Sequence, residues 1–266
     1  MNILGISPSG FCVVALIVGL AMAAKAPAEE VKCPGTYGGH LQGIDADPGR
    51  AIYWSFTVAI VKTDMEGHLL KMVEAPTHQG DLVYHDGKVY VAVNLGKFNQ
   101  EPGQADSWVY IYDAKDLSLL SKHEVQEVVH GAGGMTWCDG RFYVIGGLPD
   151  SYNENYVYEY DESLKFIRRH VIASGHTRLG IQTACYADGV FWFGCYGDPK
   201  YLLQTDEDFR LVGKFEEDWS LGVTKIGEGR YLQGITERVE GTRSTGRAVV
   251  ARPGQTQNLV DGAPAK

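Results

Sequence analysis

The sequence predicts an all-β fold, a five-bladed β-propeller of four-stranded antiparallel blades, on three observations. Two hairpin signatures alternate along the chain, they recur every 45 to 49 residues, and no segment between them carries a sustained helical period. The abundance of glycine and tyrosine, 33 and 15 of 266 residues, suits strands joined by tight turns.

The first signature is an apolar strand, a turn glycine and an aromatic-rich strand. It begins at Gly43, Gly80, Gly134, Gly180 and Gly222, with turn glycines Gly49, Gly87, Gly140, Gly189 and Gly229. Three of these turns read Asp-Gly, the pair that best tolerates the positive φ of a two-residue hairpin turn. The second signature is a strand ending in aspartate, a short polar turn and another apolar strand. Asp64, Asp113, Asp161 and Asp206 mark it, since a short carboxylate there caps the turn amides. A fifth copy, Arg247 to Val260, carries Arg252 at the equivalent place. Two hairpins per period make a four-stranded sheet that cannot bury both faces alone, so five copies closing into a ring are the economical solution. Residues 31–39 are available to add a strand to the last blade. Tyr53, Trp54, Tyr90, Tyr143 and Trp192 fall on second strands and read as core between blades.

Residues 1–23 read as a signal peptide. Phe11 to Ala23 is an apolar run too short to span a membrane comfortably, and Ala21-Met22-Ala23 supplies a cleavage pattern. Residues 24–39 follow as an N-terminal extension and 40–266 as a single propeller domain. The expected product is periplasmic or secreted, free of the membrane after cleavage, and monomeric. A net charge of −9 argues against nucleic acid as a partner. Cys33, Cys138, Cys185 and Cys195 remain after processing. An even count in an exported protein permits disulfides, with Cys33 placed to staple the N-terminal segment to the ring; buried free thiols are the alternative.

Extra residues at Leu95–Ser107 and Gly147–Asn155 lengthen repeats two and three between their second and third strands. Both therefore fall on one rim, where loops around a binding face are expected. Histidines mark the same rim. His40 and His78 stand nine residues before their turn glycines, His130 ten before, and His176 thirteen before, while Trp219 fills the fifth slot. Equivalent positions on successive inner strands face one another across the axis. His40, His78, His130 and His176 are thus expected to hold a divalent metal, imidazole being a common ligand of such ions. An unmetallated binding or catalytic ring, or simple filling of a polar channel, are the other readings. Gln42, Gln79, Asp81, Gln182 and Trp219 are the expected ligand contacts at this mouth, with His130 moving a proton and Arg178 stabilising negative charge. The function that follows is binding of a small or saccharide-like molecule, with a metal-dependent carbohydrate lyase or hydrolase as the matching enzyme class. The alternative is a non-catalytic binding or assembly scaffold.

The His40-Leu41-Gln42-Gly43 opening of repeat one and the strand–Asp-Gly–strand units resemble the bacterial glutamine cyclotransferases, which are exported five-bladed propellers. The resemblance covers most of the chain after the signal peptide and implies architecture alone. The family's acidic E-G-W-G segment is missing, its region reading Gly175-His176-Thr177-Arg178-Leu179-Gly180, so no catalytic residue carries over.

Overall fold

Hairpins form where turn chemistry lets the chain reverse. In the computed structural model, which describes residues 29–260, Asp86, Asp139 and Asp188 have φ of 46°, 45° and 56°. The glycines that follow them have φ of 72°, 75° and 76°. Two successive left-handed residues make the turn whose twist matches that of paired strands. At the other hairpins carboxylates cap the turn. Asp64 Oδ1 accepts from the amides of Glu66 and His68 at 2.9 and 2.8 Å, and Asp206 Oδ1 accepts from those of Asp208 and Arg210 at 3.0 and 2.8 Å. Asp113 and Asp161 cap Lys115 and Ser163 in the same way. Local chemistry thus sets the four-strand period.

Five antiparallel sheets result. The first runs from β3 (Leu41–Asp47) through β4 (Ala51–Phe56) and β5 (Ala59–Thr63) to β6 (Leu69–Glu74). The second comprises β7 (Gln79–His85), β8 (Lys88–Asn94), β9 (Ser107–Asp113) and β10 (Leu119–Glu124). The third comprises β11 (Ala132–Cys138), β12 (Arg141–Gly146), β13 (Asn155–Asp161) and β14 (Phe166–Ile172), and the fourth β15 (Arg178–Ala187), β16 (Val190–Tyr196), β17 (Tyr201–Thr205) and β18 (Leu211–Phe215). The fifth is assembled from both ends of the described chain. β19 (Val223–Gly227), β20 (Arg230–Glu240) and β21 (Arg243–Ala251) are completed by β1 (Glu30–Lys32), while β2 (Tyr37–Gly38) pairs further along β21. The expected fifth turn at Arg252 is therefore not a hairpin. Its outer strand is Glu30–Lys32, and the segment after Ala251 instead crosses to the fourth sheet, where the Leu259 amide donates to Lys214 O at 2.8 Å.

The ring is closed by five cores, each shared between neighbouring sheets. Side chains alternate across a strand, so Tyr53 packs toward the second blade with Leu82, Val91 and Tyr110, whereas adjacent Trp54 packs toward the fifth with Leu232 and Ala248. Tyr90 joins the core between blades two and three, and Trp192 that between four and five; Tyr143 packs on the one between three and four. Burial falls outward: β4 is wholly buried, while β6 is mostly exposed. Inner strands approach so closely that a Cβ at Gly80 would lie 2.2 Å from Gly133 O. The four cysteines after residue 29 are unpaired and buried, and desolvation holds the Cys33 thiol up to about 12. The disulfide staple expected at Cys33 is replaced by strand pairing and apolar packing around that thiol. The signal peptide read at 1–23 lies outside the described residues.

Candidate functional site

Each of the first four inner strands slips register just after it enters the ring. Pairing jumps from Leu41 to Gly43 in β3, from Gln79 to Leu82 in β7, from Ala132 to Gly134 in β11, and twice between Arg178 and Thr183 in β15. A bulge leaves residues unpaired and re-aims them. Gln42, Gly80, Gly133 and Gln182 sit at those bulges, and all four line a cavity of about 150 Å³ at this end of the axis. His40, His78, Leu179 and Tyr196 complete its wall, and Phe98 and Asn99 reach in from the lengthened second repeat.

The polar groups here converge on Gln42. Its Nε2 lies 2.7 Å from His78 Nε2, 3.2 Å from His40 Nε2 and 3.1 Å from Thr57 Oγ1. His40 Nδ1 is 2.7 Å from the carbonyl of Leu41, which can only accept, so Nδ1 carries the proton and Nε2 presents a lone pair to the amide. Burial, followed by the neighbouring His40, lowers the His78 pKa to about 4. At neutral pH His78 is uncharged, and its Nε2 accepts from Gln42. The amide has two hydrogens for three neighbours, so when both go to Thr57 and one histidine the other imidazole nitrogen is left to accept from a ligand hydroxyl. Across the cavity Gln182 Nε2 donates to Leu179 O at 2.8 Å. The Phe98 ring stands edge-on to His78 at 5.1 Å.

His130 is placed differently from the sequence expectation. It is buried outside the cavity, with Nδ1 2.7 Å from Gln100 O, its carbonyl accepting from the Asn99 amide at 3.0 Å, and its ring against Tyr152 and Tyr156. Asn99 Oδ1 also accepts from the Leu148 amide at 3.1 Å. His130 therefore clamps the two lengthened loops together and sets Phe98 and Asn99 over the mouth. His176 and Arg178 are exposed at the approach to β15, outside the lining, although Arg178 pairs across the hairpin with Tyr196. Gln79 is buried and donates to Pro76 O at 2.6 Å. Trp219 is core between blades four and five, its indole nitrogen donating to Glu217 Oε2 at 2.9 Å. Asp81 lies deeper on the axis, its Oδ2 accepting from the Ala184 amide at 3.0 Å, and burial holds its carboxyl well above the ordinary range. Of the four histidines expected as metal ligands, the cavity brings His40 and His78 together. Among the described residues no group of three or more His, Cys, Asp or Glu side chains is arranged to hold a metal ion. Phe98, Asn99 and Tyr196 were not singled out in the sequence, and the only signal for the first two was the length of their loop.

Fold and site together define a five-bladed β-propeller with a capped axial cavity. No family model and no curated protein matches the chain. Among solved structures it is similar to the computationally designed Ika4 protein, at 12% identity and TM-score 0.40, covering 66% of this chain and 96% of that one. It is also similar to BamB from Moraxella catarrhalis, at 12% identity and TM-score 0.41, covering 87% and 68%. A protein of unknown function from Bacteroides caccae is similar at 16% identity and TM-score 0.42, covering 65% and 60%. Likeness at this level says nothing of activity, and the fold rests on the sheet topology itself.

Proposed function

We propose that this chain is an exported propeller that binds a small, uncharged, hydroxyl-rich molecule, of the size of a single sugar ring, in the axial cavity under the Phe98 loop. The observation that carries the reading is the gathering of two imidazoles and three carboxamides, those of Gln42, Asn99 and Gln182, around one small space. Neutral imidazole and carboxamide groups suit hydroxyls, which both donate and accept. At about 150 Å³ the space lies below the roughly 300–1,000 Å³ of a drug-sized pocket, which favours one ring over an oligosaccharide. Phe98 and Tyr196 supply apolar surface for a ring face. Export is supported by the apolar run Phe11 to Ala23. An imidazole held near 4 has little strength as a base at neutral pH, so His78 serves as a hydrogen-bond acceptor for the ligand and not as a general base.

Calorimetric titration of the mature protein with a panel of neutral monosaccharides and polyols, with and without zinc, tests this. Binding of at least one single-ring compound is expected, weakened about tenfold or more in Gln42→Leu, since a buried polar partner is lost. Absence of binding across the panel refutes the proposal. Binding that needs zinc and disappears in His78→Ala would return the histidines to the metal role read from the sequence.

A further inference from the structure

A second cavity, of about 310 Å³, opens at the opposite end of the axis, on the face that carries the Asp-Gly turns. It shares no lining residue with the first. Between them lies Asp81, which reaches from β7 to the Ala184 amide of β15 two blades away, and Gly43 leaves room for it: a Cβ there would fall 1.8 Å from Asp81 Oδ1. The two mouths are therefore separate chemical environments.

The repeat builds the wall of this second cavity. Tyr84, Trp137 and Tyr186 each stand three residues before their turn glycine, so three consecutive blades present an aromatic ring at the same height. His85 lies flat on Trp137, with centroids 4.0 Å apart and planes 17° apart, and Tyr84 stacks on Tyr53 at 5.4 Å. Burial lowers the His85 pKa, so that ring adds surface without charge. The arc is closed by a carboxylate. Asp45 of the first blade accepts from the Tyr84 amide at 2.7 Å and from the Thr224 hydroxyl of the fifth. Lys225, the one lysine in the lining, is tied to Asp188 on the rim. Asp86 lines the mouth as well, and Asp139 sits on the next turn.

We infer that this turn-side cavity is a binding site for a small organic cation, an alkylammonium or guanidinium compound, held over the Tyr84–Trp137–Tyr186 arc with its charge toward Asp45. Aromatic faces attract cations through their quadrupole, and a carboxylate at the closed end of the arc gives the charge a direction. A neutral sugar would gain from the rings and could donate a hydroxyl to the acid, but it would leave the buried charge of Asp45 uncompensated. An anion would meet Asp45 and Asp86 with Lys225 already paired.

The test is calorimetric titration of the mature protein with agmatine and with choline, alongside Asp45→Asn and Trp137→Leu. Both probes are expected to bind the native protein. Asp45→Asn keeps the shape and an acceptor for the Tyr84 amide, with its NH2 able to donate to the Thr224 hydroxyl, yet removes the charge, and should weaken both about tenfold; Trp137→Leu should weaken choline at least as much. Circular dichroism and thermal unfolding confirm that each variant is folded before its titration is read. Gln42→Leu, at the other mouth, should leave both affinities unchanged. No binding of either probe overturns the inference. So does binding that is indifferent to Asp45→Asn and Trp137→Leu in folded protein, or that Gln42→Leu abolishes.

Discussion

Asp45 ties the stability of the ring to pH in a direction opposite to that of most carboxylates. Burial raises its pKa from 3.8 to about 6, against the lowering effect of the Thr224 hydroxyl and the Tyr84 amide. Below pH 3.8 the group is neutral both folded and unfolded. As pH rises toward 6 the unfolded chain ionises while the native chain keeps its proton, so stability falls through this window and is constant with respect to this group above it. At about 1.4 kcal/mol per pKa unit, a shift of this size costs roughly 3 kcal/mol by pH 7. Asp45→Asn removes the titration and retains an acceptor for the Tyr84 amide. The variant should unfold at urea concentrations like those of the native protein near pH 4. Its advantage should then grow to about 3 kcal/mol by pH 7. Urea unfolding at half-unit steps of pH measures the difference directly, and the difference cancels the contributions of Asp81 and the surface carboxylates. A difference that stays flat from pH 4 to pH 7 would show that Asp45 is not desolvated in the native ring.

Two further predictions concern packing and the loop clamp. Gly80→Ala drives a Cβ to 2.2 Å from a backbone oxygen of the next blade and should lower stability by about 1–3 kcal/mol or more, whereas Gly227→Ala, with nothing within 4 Å, should be nearly neutral; urea midpoints that match would refute the close approach. His130→Ala removes the tie to Gln100 and should raise amide exchange across residues 95–106 about fivefold to tenfold, for a lost hydrogen bond of about 1 kcal/mol, and weaken ligand at the capped mouth. Unchanged exchange in that loop would refute the clamp.

The blades were legible because their signals are local. An Asp-Gly turn or a capping aspartate acts within four residues, so Asp86-Gly87 and Asp64 could be read without knowing what packs where. The fifth blade was only half legible, because Arg247 to Val260 has the pattern of a hairpin yet pairing with Glu30–Lys32 is decided by a partner at the far end of the chain. The site was legible in part for a related reason. Counting back from turn glycines assumes that every inner strand spends the same number of residues reaching the axis. The bulges break that assumption in the fourth blade: β3, β7 and β11 each slip once and β15 twice, so the thirteen residues from His176 to its glycine do not measure the same height in the ring. His40 and His78, nine residues from their glycines, meet; His130, ten away, turns outward to the loops. Gln42 and Gln182 were read as ligand contacts and line the cavity, while Gln79, Asp81 and Trp219 are taken up by the framework.

The fifth sheet also makes folding a matter of arrival times. Glu30 pairs with Val249, so the strand synthesised first among the described residues finds its place only when one of the last has been made. Until then four blades can form from local hairpins, but the apolar faces of the first and fifth, with Trp54 and Phe56 on one side and Leu232 and Ala248 on the other, stay open to water. Contacts so distant in sequence form slowly because a long loop must close before they gain anything. The β1–β21 pairing is thus a latch that shuts last, and a chain waiting for it is the species that a chaperone or a protease would meet.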